Sequence, residues 1–385
     1  MPSTHARGRR PIAPGGRILI SSCPLFGHVN TLLPLALAAQ RAGHEVVVAT
    51  GPDLVPHVER SGLAAWPVGP THAEAGGAAV TQWVEYFIDS AGKRAVELVP
   101  RAVSWAPDLL LHEETELAGA VAAQATGARH AVHGLGLMPP IPIWDALAPA
   151  FEQLFRQWDV PGSPQAIRDA DYLDVCPQAL QPGGEPIWQH VLPLRPSFGQ
   201  PSPDHRLPAA MAGLPYRRTA HLTLGTVFHR ATEVLETAID GLRDLPVNLV
   251  VTTGPGSDPS RFGPQPAHVL IEPYLPHGLL LPRCCLVVSQ GGAGIMFGAL
   301  AHGLPQLVLP QGADQYLNAD ACVRAGAGLC LVGEDVTAAC VTAAAQRLLG
   351  EPRFAEAAAA VQAEIERRPT PDQAFATLTD RSRRP

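Results

Sequence analysis

A glycine-rich turn in the second half of the chain has the residue types of a phosphate site. The apolar run Leu286–Val288 predicts a buried strand, the turn runs from Gly291 to Gly294, and Ile295–His302 predicts a helix that Gly303 ends. Backbone amides at a helix N-terminus lack partners within the helix, and the helix dipole adds positive potential there. Because glycines let the backbone approach a ligand closely, this stretch predicts a site for phosphate groups.

A loop with a carboxylate and an amide follows the next predicted strand. Gln306–Leu309 is predicted as that strand, and Asp314 and Gln315 lie in the loop Pro310–Gln315 at its end. Carboxylate and amide side chains form hydrogen bonds with sugar hydroxyl groups. The turn and the loop together predict a pocket for a phosphorylated sugar.

His28 is the residue of the first half whose position suits proton transfer. Arg17–Ser21 predicts the first strand, residues 22–28 form the loop at its carboxyl end, and Val29–Ala42 has helical spacing. Parallel α/β sheets bind ligands beyond the carboxyl ends of their strands, and an imidazole exchanges a proton near neutral pH. A histidine here can also be a helix cap or a surface residue, and the spacing leaves both interpretations open. The first turn lacks a GxGxxG fingerprint, which disfavours a dehydrogenase.

Three glutamates follow the predicted strand Pro107–His112. Glu113, Glu114 and Glu116 lie at its carboxyl end, where a carboxylate can orient and charge-stabilise a nearby histidine. For Glu114 and Glu116 the alternative is a solvated first turn of the helix predicted over Leu117–Ala125, where acidic side chains favour the helix dipole.

Composition excludes several classes of protein. The chain has 385 residues, 46% hydrophobic and 16% charged, with a net charge of −7 and no basic block, so nucleic-acid binding is disfavoured. The seven cysteines form no CxxC pair, which predicts free thiols in a reducing cytoplasm. Residues 1–16 are polar and rich in Pro and Gly, and no run of about 18 apolar residues occurs, so we expect a flexible lead and no membrane span. The second half, which carries the predicted phosphate turn, has no DxD-like acidic cluster for a diphosphate-bound cation, so we expect no metal.

The elements that must position these residues form two successive α/β halves. We expect a first domain over 17–195, a linker rich in proline over 196–208, a second domain over 209–368, and a C-terminal helix or tail over 369–385. The second half restarts with a strand over His221–Leu224, which a turn containing Gly225 and Thr226 follows.

Aromatic side chains in the first half suggest walls for a flat apolar ligand, because such ligands bind in apolar pockets. Plain packing of amphipathic helices is the alternative, and the sequence leaves the two open. The candidate acceptor-binding residues are Trp83, Tyr86, Phe87, Met138, Phe151 and Phe155.

The motifs of the second half resemble family 1 glycosyltransferases of the GT-B fold, most of all the actinobacterial branch that attaches deoxysugars to antibiotics. That branch has a His-Gly-Gly-X-Gly-Thr turn and a Pro-Gln-X-X-Asp-Gln loop with an Asn shortly after. The matching positions are Gly291, Gly292, Gly294, Pro310, Gln311, Asp314, Gln315 and Asn318. The chain departs at Gln290, where the family has a phosphate-binding His, and at Ile295, where it has a hydroxyl residue.

The resemblance implies two Rossmann-like domains that face each other across a cleft, with the donor held by the C-terminal half and the acceptor by the N-terminal half. His28 matches the family's catalytic base, although Thr31 stands where a Pro is usual, and Glu113 matches its acidic partner. The implied donor-binding residues are Gly225, Thr226, Leu275, His277, Gln290, Gly291, Gly292, Ala293, Gly294, Asp314, Gln315 and Asn318.

The implied reaction is an inverting, metal-independent transfer of a deoxysugar, from a dTDP-activated donor to a polyketide-like or aromatic acceptor. Loss of a charge-assisted contact at Gln290 weakens donor binding by roughly 1.5–3 kcal/mol. A non-catalytic auxiliary protein is therefore the alternative, and a GT-B epimerase is a third candidate that lacks its expected acidic residues. The sequence leaves open whether the chain forms a homodimer.

Overall fold

The computed structural model describes residues 12–75, 83–139, 141–160, 164–183, 186–197, 205–225, 232–254 and 258–380. These residues fall into two compact units. The first comprises the described residues between 12 and 176, 182 and 195, and 368 and 380; the second comprises 177–181 and those between 196 and 367.

The first unit is built on a parallel sheet, with seven strands among the described residues and the order β3-β2-β1-β4-β5-β6-β7. The strands are β1 (Arg17–Ser21), β2 (Glu45–Thr50), β3 (Ala64–Pro67), β4 (Leu109–Glu113), β5 (Arg129–His133), β6 (Asp171–Asp174) and β7 (His190–Pro193). The strand order reverses between β1 and β4, and a crevice for ligands opens at such a switch point. Ser21 pairs with His112 in the register of these two strands, so Glu113 lies one step beyond the end of β1.

Both faces of this sheet are covered, as is usual for parallel sheets. In β1, Leu19 packs into one hydrophobic core while Ile18 and Ile20 pack into the other, which follows from the two-residue period of a strand. The covering helices are α1 (Phe26–Arg41), α2 (Val55–Arg60), α3 (His72–Ala75), α4 (Trp83–Trp105), α5 (Leu117–Thr126), α6 (Ile141–Gln157) and α7 (Pro164–Arg168).

Helix α1 begins earlier than the hydrophobic spacing predicted. It starts at Phe26, and the amides of His28 and Val29 both donate to the carbonyl of Leu25. No side chain caps this start, so the usual Ser, Thr, Asp or Asn signal is absent from the sequence. His28 therefore lies in the first helical turn, at the carboxyl end of the sheet.

The second unit has a parallel sheet with the order β10-β9-β8-β11-β12-β13 among the described residues. The strands are β8 (Thr219–Thr223), β9 (Asn248–Thr252), β10 (Val269–Glu272), β11 (Leu286–Ser289), β12 (Gln306–Val308) and β13 (Gly328–Cys330). The helices are α8 (Thr232–Leu242), α9 (His277–Leu280), α10 (Ala293–Leu300), α11 (Gln315–Arg324), α12 (Ala338–Gly350) and α13 (Pro352–Arg367).

The last helix, α14 (Pro371–Thr379), packs on the first unit. Its Phe375 and Leu378 enter the core beneath α1, and Arg41 of α1 donates two hydrogen bonds, both of 2.9 Å, to the Asp372 carboxylate. The chain leaves the first unit after Arg195 and re-enters it at Arg368. These two points are adjacent, because the amide of Arg195 donates to the carbonyl of Pro369 at 2.7 Å. Among the described helices, none has the length and apolar character that crossing a bilayer requires.

Candidate active site

The structure pairs His28 with Glu113. The Nδ1 atom of His28 lies 3.0 Å from Oε1 of Glu113, although the two residues are 85 positions apart in the chain. The Glu113 side chain is 0% exposed and that of His28 is 19% exposed. The neighbouring strands β1 and β4 produce this contact, because the loop after β1 and the last residue of β4 meet at one edge of the sheet.

Hydrogen bonds hold the Glu113 carboxylate ionised. It accepts from the amide of Cys23 (3.1 Å), the amide of Thr115 (2.6 Å) and the hydroxyl of Thr115 (2.8 Å). Burial by itself raises the pKa of Glu113, but attraction to His28 and the hydrogen bonds from His28 and Thr115 lower that pKa to about 2. Since a carboxylate only accepts, the contact with Glu113 favours a proton on Nδ1 of His28, which leaves the Nε2 lone pair to act as a base.

Glu116 is buried, which disfavours the alternative of a solvated helix turn for this residue. Its carboxylate lies 2.5 Å from Nε of Arg94 in α4, and both side chains are 0% exposed. Burial raises the pKa of Glu116 while Arg94 opposes that change. A buried ion pair of this kind fixes the turn after β4, because either charge alone would be costly to bury.

The surroundings of Glu114 also disfavour the alternative of a solvated helix turn. The hydroxyl of Tyr172 donates to its carboxyl group, and the Tyr172 ring stacks on Trp188 with centroids 4.0 Å apart. Burial, assisted by the charge of Glu113, raises the pKa of Glu114 to about 8. Near neutral pH, Glu114 is therefore largely protonated, while its neighbour Glu113 is ionised.

Cys23, His28 and Glu113 are a group of metal-ligating types whose ligand atoms lie within 4.8 Å of one another. The Thr115 hydroxyl lies among them, 3.3 Å from His28 Nδ1 and 3.7 Å from Cys23 Sγ. Burial raises the pKa of the Cys23 thiol well above its ordinary value, which opposes the thiolate that a metal requires. The geometry thus fits a hydrogen-bonded acid–base pair better than a cation site.

Of the predicted acceptor residues, one lies near His28 and others are buried in the hydrophobic core. The Phe87 ring lies 6.0 Å from the His28 ring, measured between centroids. Phe151 and Phe155 are 1% and 2% exposed and belong to the hydrophobic core, against which Met138 packs. Their burial favours packing, the alternative that the sequence left open. Trp83 and Tyr86 lie in α4, and their side chains are outside the described part of the structure.

In the second unit, Gln290 lies against the glycines of the predicted phosphate turn. Its Nε2 occupies the space that a Cβ on Gly225 would take, and it is 3.0 Å from where a Cβ on Gly292 would lie. Gly291 has φ +83°, and a Cβ there would come within 2.5 Å of Val308 Cγ1. The Gln290 amide thus leaves little room for a side chain at Gly225 or Gly292, and Val308 leaves none at Gly291.

Helix α10 begins at Ala293, two residues earlier than predicted. Its first-turn amides, including those of Ala293 and Gly294, have no acceptor within the helix. Gln290 is only 8% exposed, and no hydrogen-bond partner for its Oε1 is found among the described residues. The first-turn amides are thus donors without an intrahelical acceptor, which is the property that an anion site requires. Thr226, the remaining residue predicted to approach the phosphates, lies outside the described residues.

Asn318 connects this turn to the predicted sugar loop. Its Nδ2 donates to the carbonyl of Gly291 at 2.9 Å and to the Asp314 carboxylate at 2.8 Å. Asp314 is exposed, whereas Gln315 is 2% exposed and its Oε1 accepts from the amide of Gln311 at 2.7 Å. The structure thus leaves Asp314 accessible to a ligand and uses the Gln315 oxygen to brace the loop.

His277 is paired with a buried histidine that the sequence did not single out. Its Nε2 lies 3.4 Å from Nε2 of His221, whose Nδ1 lies 3.0 Å from the carbonyl oxygen of Val250. Since a carbonyl only accepts, His221 donates from Nδ1 and accepts from His277 at Nε2. Burial lowers the pKa of His277 to about 4, so this pair is neutral. Leu275 is 2% exposed and packs against Val250.

Sequence reasoning missed Thr115, Arg94 and His221. Thr115 stands two residues after Glu113, a spacing at which a hydroxyl commonly bonds back to its neighbour, so a local signal existed. Arg94 and His221 meet their partners only across elements, and no local signal identifies them.

Comparisons with known proteins agree with this arrangement. The profile of the family described as the erythromycin biosynthesis protein CIII-like C-terminal domain matches residues 236–380. The chain is 32% identical to the L-demethylnoviosyl transferase of Streptomyces niveus, over 92% of this chain and 95% of that protein. It is 29% identical to the aklavinone 7-beta-L-rhodosaminyltransferase of Streptomyces galilaeus, over 94% of this chain and 95% of that protein.

Solved structures match over the same extent. The glycosyltransferase VinC in complex with dTDP gives a TM-score of 0.79 at 26% identity, covering 94% of this chain and 98% of VinC. The spinosyn rhamnosyltransferase SpnG complexed with spinosyn aglycone gives 0.79 at 27% identity, covering 94% of this chain and 100% of SpnG. With relatives of this identity along nearly its whole length, and with two parallel sheets of the same arrangement, the chain belongs to the GT-B glycosyltransferases that attach deoxysugars in antibiotic biosynthesis.

Proposed function

We propose that this glycosyltransferase moves a deoxysugar from dTDP to a hydroxyl group of a polyketide-like acceptor, with inversion and without a metal. The single observation that carries the proposal is the pair His28 and Glu113, a partly exposed imidazole whose Nδ1 lies 3.0 Å from a buried carboxylate. An imidazole oriented in this way is a general base near neutral pH.

In the proposed reaction, Nε2 of His28 takes the proton of the acceptor hydroxyl. The oxygen attacks the anomeric carbon from the face opposite the diphosphate, a new C–O bond forms, and the bond to the phosphate oxygen breaks. dTDP leaves with the electron pair of that bond, and the proton stays on the imidazole. Glu113 stabilises the imidazolium that forms, because its pKa of about 2 keeps it anionic throughout.

The donor side of the proposal rests on the second unit. The first-turn amides of α10 and the amide of Gln290 would bind the diphosphate as its negative charge grows. Asp314 would hold sugar hydroxyls, and Asn318 keeps its carboxylate in place. The relatives support dTDP as the nucleotide, since VinC is described in complex with dTDP and SpnG with thymidine diphosphate.

The absence of a metal is proposed on the same grounds. Helix amides and side-chain amides provide neutral donors that take the place of a cation. The acceptor class is proposed from the relatives, of which one is named for aklavinone and another for tylactone. Phe87, 6.0 Å from His28, is the described aromatic side chain that suits such a ligand.

Gln290 favours a second candidate, a non-catalytic auxiliary protein, because a neutral amide binds a diphosphate less tightly than an imidazolium does. Titration calorimetry with dTDP and UDP, on the wild type and on Gln290→His, separates the two. Micromolar dTDP binding by the wild type, weaker for UDP, is the expected result. No binding by the wild type and recovery in Gln290→His would favour the auxiliary protein.

A second measurement addresses the chemistry. His28→Gln should bind dTDP as the wild type does, yet lose transfer from dTDP-L-rhamnose to phenolic anthraquinones, measured by dTDP release and mass spectrometry. Transfer by His28→Gln at the wild-type rate would rule out His28 as the base.

A further inference from the structure

We propose that Thr115 is a positioning residue, which fixes the tautomer and the orientation of His28 by sharing the Nδ1 proton of the imidazole with Glu113. This inference rests on the proposed role of His28 as a base, and it concerns a residue that does not touch the substrate.

The Thr115 hydroxyl faces both members of the pair. Its Oγ1 lies 2.8 Å from Oε2 of Glu113 and 3.3 Å from Nδ1 of His28. The backbone amide of Thr115 donates to the same Oε2 at 2.6 Å. One residue thus contacts one carboxylate oxygen twice and the imidazole once.

The directions of these hydrogen bonds follow from proton counting. A hydroxyl has one proton and two lone pairs. An ionised carboxylate at 2.8 Å is the strongest acceptor near it, while Cys23 Sγ at 3.7 Å is a weak one. The proton of Thr115 therefore points to Glu113, and a lone pair faces His28.

The Nδ1 proton of His28 consequently lies between two acceptors, Oε1 of Glu113 at 3.0 Å and Oγ1 of Thr115 at 3.3 Å. Two acceptors at one ring nitrogen favour the neutral tautomer protonated there. They also restrict rotation of the ring, because the acceptors belong to two residues. The opposite nitrogen, Nε2, is left deprotonated and aimed in one direction.

The turn that carries Thr115 is itself held in place. The amide of Glu116 donates to the carbonyl of Glu113 at 3.0 Å, and the Glu116 carboxylate is buried against Arg94 at 2.5 Å. From the other side, the amide of Cys23 donates to Oε1 of Glu113 at 3.1 Å. The residues on both sides of Thr115 are therefore anchored by buried contacts, which supports a positioning role.

The test reads the tautomer directly. Protein labelled with ¹⁵N-histidine is studied by two-bond ¹H–¹⁵N correlation spectra at pH 9, where an imidazole is neutral, and the His28 signal is assigned by its loss in His28→Gln. The wild type should show Nδ1 protonated and Nε2 bare. Thr115→Val should show averaged nitrogen shifts from both tautomers, and Thr115→Ser should restore the wild-type pattern.

Thr126→Val is the matched control. The Thr126 hydroxyl donates to carbonyls of its own helix and accepts from the amide of Ala128, and none of these described contacts involves His28 or Glu113. This control variant should leave the His28 signal unchanged. If Thr115→Val does not fold, Thr115→Cys provides a smaller change with a weak acceptor, and its tautomer ratio should lie between those of serine and valine. An unchanged His28 tautomer in the folded valine or cysteine variant would overturn the proposal, as would a wild type with Nε2 protonated.

Turnover separates this proposal from the proposed function. With dTDP-L-rhamnose and a phenolic anthraquinone, Thr115→Val should lower kcat roughly ten- to a hundredfold, the effect of one lost hydrogen bond to a charged group, with little change in KM. A wild type that binds no dTDP and transfers no sugar refutes the proposed function, while the tautomer spectra still decide the role of Thr115.

Discussion

Replacing Glu114 by glutamine should change how the stability of the protein depends on pH. Burial raises the pKa of Glu114 from an ordinary 4.5 to about 8. Between these values the folded protein keeps a proton that the unfolded chain has lost. The free energy of unfolding therefore falls as pH rises from about 4.5 to about 8, and it stays level above that. At about 1.36 kcal/mol per pH unit, the upper limit is about 5 kcal/mol.

Glutamine has no proton to lose, and its Oε1 can still accept from the Tyr172 hydroxyl, which bonds Glu114 in the wild type. Relative to the wild type, Glu114→Gln should thus gain stability as pH rises. The gain should be near zero at pH 5 and roughly 2–5 kcal/mol at pH 8.5. Urea unfolding followed by circular dichroism at pH 5, 7 and 8.5 measures the difference.

The control is Glu152→Gln, because Glu152 in α6 is 52% exposed. Its difference from the wild type should not vary with pH. Contributions of other titrating groups cancel in each comparison, since both proteins share them. If the difference between Glu114→Gln and the wild type were the same at all three pH values, the assignment of a protonated Glu114 would be refuted.

Three further predictions concern the core and the donor site. Arg94→Met leaves Glu116 buried without its partner at 2.5 Å, so it should lose about 3–5 kcal/mol in urea unfolding, and full stability in this variant would contradict the buried pair. Gly291→Ala places a Cβ 2.5 Å from Val308 at φ +83°, so calorimetry should find dTDP binding at least tenfold weaker; unchanged affinity would argue against the turn as the phosphate site. Burial lowers the pKa of His133 and of His277 to about 4. Between pH 6.5 and pH 4 the unfolded chain therefore binds protons at these histidines that the folded protein does not bind. The melting temperature should fall as the pH is lowered over that interval.

The fold class was predictable because the spacing of apolar residues along short segments distinguishes strands from helices. Alternating or continuous apolar runs marked the strands, and spacing near 3.6 marked the helices, so the prediction of two parallel α/β domains of GT-B type is confirmed. The starts of α1 and α10 were less accurate. Neither start has a side-chain cap, and a helix without a cap leaves no residue type in the sequence to mark its beginning.

The roles of single residues were predictable where they depend on near neighbours in the chain. Gly291 requires glycine for reasons of backbone geometry, because its φ is +83°, and the phosphate site at this turn stays a prediction from its residue types. Whether Phe151 and Phe155 line a pocket or pack in the core was not predictable in this way. Both are aromatic residues on an amphipathic helix, and only the packing of α6 decides whether such a face meets a ligand or the core.

The sequence by itself determined the strand, turn and helix types and the position of His28 near the end of the first strand. Among the three glutamates the resemblance pointed to Glu113, and only the tertiary structure shows its contact with His28. The register of β1 against β4 brings Glu113 to His28 across 85 residues, whereas Glu116, in the turn after β4, meets Arg94 of α4. The physical reason is that side-chain direction alternates along a strand, and which neighbour each direction meets depends on elements distant in the chain.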